Sequence, residues 1–222
     1  MSVLLQLSDY HFGTEQAPVV EALVALAQQQ RPDLLVLSGD ITQRATRSQF
    51  ADARAFIDRL GAPLLAIPGN PDIPLFDLGQ HLFHPYARHR EAFGNALEPT
   101  HVSHELLVQC VNTTRWYRHK GGTVSSAQIE RVASRLHAAQ PGQLRVVVVH
   151  HPIAVLRTTE QHNLLYRRAE TQQSWAAAGC DVVLGGHTAP GRCLIEQWDY
   201  TAETQAFVCT GMTAIHPAHT SE

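Results

Sequence analysis

Five short aliphatic runs constrain the fold of this chain more than any other feature. They are Val3-Leu4-Leu5-Gln6-Leu7, Leu34-Leu35-Val36-Leu37, Leu64-Leu65-Ala66-Ile67, Val146-Val147-Val148-Val149 and Val182-Val183-Leu184. Runs this short and this rich in Val and Leu read as strands covered on both faces. Segments of helical spacing lie between them. Pro18 to Gln30 is one, and Ser48 to Leu60 places Phe50, Ala53, Phe56, Ile57 and Leu60 on one stripe. Ser125 to Ala139 opens with Ser125 and Gln128 at capping-box spacing. Leu164 to Ala178 is closed by Gly179 as a C-cap. Strand and helix alternate at roughly 30 residues per unit, which predicts right-handed crossovers in an α/β sheet.

The last third changes character. Arg192 to Trp198 and Gln205 to Thr210 read as antiparallel strands and Val102 to Asn112 as another, together forming a second sheet packed on the first. Residues 73 to 99, with Pro74, Gly79, Pro85 and Gly94, read as an irregular, partly helical excursion. No repeat or linker interrupts the chain, so one domain spanning 1–222 is expected.

Composition removes several alternatives. Hydrophobic residues make up 44% of the chain and charged residues 17%, which excludes a disordered segment. A net charge of -3 argues against a nucleic-acid protein held by bulk electrostatics. No apolar run approaches the ~18 residues of a membrane span. The opening MSVLLQLSD has neither a basic stretch nor a small-residue cleavage site. Cys110, Cys180, Cys193 and Cys209 form no CxxC pair. A cytoplasmic protein with reduced thiols is the expectation.

Each aliphatic run is followed within one to three residues by a metal-capable side chain. The sequences are Ser8-Asp9-Tyr10-His11, Ser38-Gly39-Asp40, Pro68-Gly69-Asn70-Pro71-Asp72, His150-His151-Pro152 and Gly185-Gly186-His187. Ligands of open α/β sheets bind outside the carboxyl ends of strands, so Asp9, His11, Asp40, Asn70, His150 and His187 are expected to meet on one rim. Singly these motifs are weak: Asp-x-His is common, and Gly-Asp and Gly-Asn are turn dipeptides. Five in succession are not. Carboxylate, imidazole and amide oxygen without thiolate suit Mn, Fe or Zn. Asp40 is placed to bridge two such ions, as in two-metal hydrolytic sites. Gly39, Gly69 and Gly186 precede ligand positions where a tight turn must aim the side chain.

The ordered set Asp9-x-His11, Gly39-Asp40, Gly69-Asn70-x-Asp72, His150-His151-Pro152 and Gly186-His187-Thr188 resembles the calcineurin-like metallophosphoesterase superfamily, and in size the bacterial class III cyclic nucleotide phosphodiesterases within it. The resemblance implies a four-layer α-β-β-α sandwich of two mixed sheets flanked by helices. It implies two divalent ions, Asp9 and His11 holding the first, Asp40 bridging, and Asn70, His150 and His187 holding the second. Asp40 and Asn70 are then the catalytic positions, with His151 (also the fallback ligand) and Asp72 assigned to substrate binding. The implied activity is hydrolysis of a phosphodiester by metal-activated water, acting on a small phosphoester or nucleotide.

Two positions depart from the pattern. Pro71 stands where the resemblance calls for a histidine that contacts phosphate and protonates the leaving group; proline has no donor. Ala189 stands where a second histidine would complete the first ion site, so a single ion is the alternative. Losing a general acid costs about 10² to 10⁴ in rate, least for an acidic leaving group. A degenerate relative that binds metal or nucleotide without turnover is the competing reading. His81, His84, His216 and His219 are candidates to compensate, and each more often reads as a solvated loop residue. The cluster Arg115-Trp116-Tyr117-Arg118-His119-Lys120 reads as a solvated loop with packed aromatics, and Trp175 and Trp198 as packing residues.

Overall fold

The computed structural model describes residues 2–118, 121–155 and 158–187, together with the backbone of two strands at 194–201 and 204–210. The first half runs β1 (Leu4–Leu7), α1 (Ala17–Gln30), β2 (Leu34–Ser38), α2 (Arg47–Leu60) and β3 (Leu64–Ile67). Two short helices, α3 (Leu78–Phe83) and α4 (Ala87–Phe93), make up the excursion. The second half runs β4 (Thr100–Val102), β5 (Leu106–Val111), α5 (Ser126–His137), β6 (Leu144–Val149), α6 (Arg168–Ala177), β7 (Val182–Gly185), β8 (Leu194–Thr201) and β9 (Thr204–Thr210).

These strands form two sheets. One has the order β1-β2-β3 and the other β4-β5-β6-β7-β9-β8. Leu34, Val36, Leu65, Ile67, Val108, Cys110, Val146 and Val148 fill the layer between the sheets. A second core lies between the first sheet and α1 and α2, around Leu23, Ala27, Phe56 and Ile57. A third lies between the second sheet and α5 and α6, around Ile129, Val132, Leu136 and Trp175. The order of layers is therefore α-β-β-α, as expected.

The sheets differ from expectation in detail. The first is wholly parallel among the described residues, not mixed. The runs at 146–149 and 182–184 belong to the second sheet, parallel to β5 and to each other. All five runs have the same aliphatic character because each lies in a covered sheet, so the pattern cannot say which sheet. The strand expected at 102–112 is β5, and β4 just before it pairs antiparallel with it as a hairpin.

Local chemistry sets the helix starts. Thr46 and Gln49 form a capping box at α2, and Ser125 and Gln128 form one at α5. α6 starts four residues later than the periodicity predicts. The Leu165 and Tyr166 amides donate to the carbonyls of Pro152 and Gly122, which holds that stretch extended. Gly179 follows α6 with φ 84° as expected. Trp175 is buried and its indole donates to the Ile129 carbonyl. Cys110 and Cys180 are buried free thiols. Among the described residues no helix is long and apolar enough to cross a membrane.

His89 on α4 is buried, with the rings of Phe50 and Phe93 at 6.3 and 5.4 Å. Burial first, and the Arg90 charge second, push its pKa from 6.5 down to about 3. Between those values the unfolded chain binds a proton that the native state refuses, so stability falls as pH falls. From pH 7 to pH 5 this group removes about 2 kcal/mol. Urea melts at the two pH values should show His89→Phe losing that much less than the parent. Equal losses would contradict a neutral buried imidazole.

Candidate metal centre

The five loops after β1, β2, β3, β6 and β7 converge at the seam between the two sheets. The first sheet contributes Asp9, His11, Asp40 and Asn70, and the second contributes His150, His151 and His187. Backbone pairing continues past β1 and β2: the Asp9 amide donates to the Gly39 carbonyl at 3.1 Å and the His11 amide to the Asp40 carbonyl at 3.0 Å. Asp9, His11, Asp40 and His187 all take the left-handed conformation, with φ of 59°, 50°, 51° and 60°. Non-glycine residues held there carry strain, which concentrates at functional sites.

Ligand atoms fall into two groups, Asp9-His11-Asp40 and His150-His151-His187, each within 4.8 Å internally. Asp40 joins them. Its Oδ1 lies 3.0 Å from His150 Nε2, and its Oδ2 lies 3.5 Å from His187 Nδ1 and 4.0 Å from His11 Nε2. His150 Nδ1 donates to the Ser38 carbonyl at 2.8 Å, which fixes the tautomer and turns Nε2 inward. Neither Asp40 Oδ1 nor His150 Nε2 makes a well-formed hydrogen bond, although both are buried. The Ser8 hydroxyl and the His187 amide both donate to the Asp9 carboxylate.

The electrostatics match that geometry. Burial, and then the neighbouring Asp40 charge, push Asp9 up to about 7. Asp40 itself stays well below the usual carboxylate range: burial opposes its charge, but His150 and His187 outweigh it. At His150 burial opposes the charged ring, yet Asp40 and Asp9 carry it up to about 9. Two buried carboxylates with inward imidazole nitrogens and no thiolate make a donor set that fits divalent cations.

Asp72 and His151, expected at the substrate, are both buried. Asp72 lies between the loops after β2 and β3. Its buried carboxylate accepts from the amides of Gly69, Ile41 and Thr42 at 2.8, 3.1 and 2.7 Å and from the Thr42 hydroxyl at 2.8 Å. It ties the loops after β2 and β3 together. His151 is also fully buried. Its Nδ1 meets the Thr113 hydroxyl at 2.8 Å and its Nε2 meets Asn70 Nδ2 at 3.2 Å. Burial and the charges of His150 and His187 hold it neutral. It packs so close to Gly122 that a Cβ there would lie 2.1 Å from Nδ1. The contributions of Thr113 and Gly122 carry no signal in the sequence.

His81 contacts the Pro74 carbonyl and the Trp116 ring, and neither His81 nor His84 joins a ligand group. Arg115 donates to the Asn112 and Thr114 carbonyls and to Gln128, and Arg118 lies over the Tyr166 ring at 4.3 Å. Residues 115–118 thus form a turn held by its arginines, but its aromatics are not packed in as expected: Trp116 and Tyr117 are exposed. Thr188, Ala189, His216, His219, His119, Lys120 and the Trp198 side chain lie outside the described residues.

Residues 2–191 match calcineurin-like phosphoesterases, and the chain belongs to that family. A probable cyclic nucleotide phosphodiesterase of Synechococcus sp. is 31% identical over 80 residues, which cover 32% of this chain and 31% of that protein. The match thus spans about a third of that curated relative. A dimetal phosphatase from Danio rerio superposes with a TM-score of 0.68 at 12% identity, over 94% of this chain and 86% of that one. A purple acid phosphatase from yellow lupin seeds superposes with a TM-score of 0.61 at 13% identity, over 84% of this chain and 38% of that one. At these identities the structural likeness is one of fold.

Proposed function

We propose that the chain hydrolyses phosphodiesters with divalent ions held by Asp9, His11, Asp40, Asn70, His150 and His187. The observation that carries this is Asp40 standing between the two ligand groups. Bound there, such ions lower the pKa of water and neutralise charge on phosphate oxygens. The protein's part is placement. Ser38 orients His150, Thr113 orients His151, and His151 receives the amide nitrogen of Asn70, leaving the oxygen as that side chain's ligating end. Asp72 and His151 are positioning residues in this reading.

Pro71 favours a second reading, a metal binder without turnover, because it brings no proton to the rim. Hydrolysis of bis(p-nitrophenyl) phosphate with added Mn separates the two. The expected result is Mn-dependent release of nitrophenolate with two ions per chain. One ion per chain would assign the deficit to Ala189, and metal-loaded protein with no rate above buffer would establish the non-catalytic binder.

A further inference from the structure

Beside Asn70 the surface opens into a cavity of about 160 Å³ lined by Arg44, Asn70, Pro71, Ile73, Leu75 and Phe76, with the amide side chain of Gln43 completing it. Its wall is mostly apolar, and Phe76 is 85% exposed over it. The Arg44 guanidinium lies 5.9 Å from the centre of the Phe76 ring. A cavity of about 150 Å³ lined by apolar side chains holds one benzene ring. Asn70, a ligand in the reading above, also lines this wall, so the cavity adjoins the proposed centre.

We infer that the cavity is the subsite for an aromatic leaving group, making aryl phosphoesters the preferred substrate class. This rests on the phosphodiesterase reading above. The wall's chemistry selects the group. None of its side chains carries a proton that titrates near neutrality, so an alkoxide would have to depart unprotonated from this side. An aryloxide is a stable anion and needs no acid. Water's oxygen bonds to phosphorus, the P–O bond to the ring breaks, the pair leaves on the aryloxide, and water's proton passes to solvent. Arg44 supplies a positive charge beside the departing oxygen, and Phe76, Leu75 and Pro71 cover the ring.

The test pairs binding with kinetics. Calorimetric titration of Mn-loaded protein should find phenylphosphonate binding at least about tenfold tighter than methylphosphonate. In Phe76→Ser, a change at an exposed position, that ratio should fall towards one. Equal affinities in the parent, or a ratio that survives Phe76→Ser, would overturn the subsite while leaving the phosphodiesterase reading intact. If neither phosphonate binds, both fall. Across methyl aryl phosphates of graded leaving-group pKa, kcat/KM should drop about tenfold or more between nitrophenyl and unsubstituted phenyl esters. A flat series would show that an acid is present and overturn the leaving-group assignment.

Discussion

Asp40→Ala should abolish metal loading and phosphoester hydrolysis together. Among the described residues, Asp40 is the side chain that reaches across both ligand groups, 3.0 Å from His150, 3.5 Å from His187 and 4.0 Å from His11. Its loss removes the shared anion, so the effect should exceed the roughly 10–100-fold that loss of an outer partner costs a metal site. The fold should survive. Removing Asp40 relieves the repulsion that pushes Asp9 up but also strips the buried His150 ring of its main counter-charge, so the metal-free variant should be less stable than the parent while still folded. Metal analysis after gel filtration, the nitrophenyl assay and near-UV circular dichroism measure the three quantities. A native spectrum with no ions and no turnover is expected. Retained metal at the parent stoichiometry would refute the bridging role.

Gly69→Ala should do comparable damage by a different route. A Cβ at Gly69 would lie 2.0 Å from both the backbone nitrogen and Oδ1 of Asp40. A backbone atom cannot rotate aside, so the loops after β2 and β3 must separate, and the Asp72 bonds that tie them are lost. Clashes relieved only by backbone movement cost about 1–3 kcal/mol or more. Gly61 provides the contrast. It caps α2 at φ 72° with nothing within 4 Å of its Cβ direction, so Gly61→Ala should cost only the left-handed strain of about 1–2 kcal/mol and keep full activity. Urea midpoints and metal content for both variants decide this. Identical behaviour of the two would contradict the close approach.

How much of this was readable from residues alone follows from which signals are local. Capping boxes at Thr46 and Ser125 and the apolar stripe of α2 are short-range, and they place helices to within a few residues. That the candidate ligands would gather on one rim was legible because each sits just past an aliphatic run, and such runs end where a sheet ends. Sheet membership was not legible. Val146–Val149 and Leu34–Leu37 look alike because both are covered on two faces, and only tertiary pairing separates them. Nor could the sequence announce left-handed backbone at Asp9, Asp40 or His187, since that conformation is signalled by glycine and these are not glycines. The partners of His151 and Asp72 were not legible for a related reason. Each adjoins a ligand, but which way a side chain points after a tight turn depends on partners far along the chain, such as Thr113 for His151.

The seam between the sheets carries a further consequence. The first sheet supplies the carboxylates and the second supplies His150 and His187, so cations held there would add a clasp to the hydrogen bonds that already cross the seam from Gln6 to Gly185, from His150 to Ser38 and from the His187 amide to Asp9. Ion capture and the docking of the two sheets are then linked equilibria, and each must favour the other by the same factor. Substitutions in the apolar filling at Val36 or Val148 should then alter metal affinity without touching a donor atom.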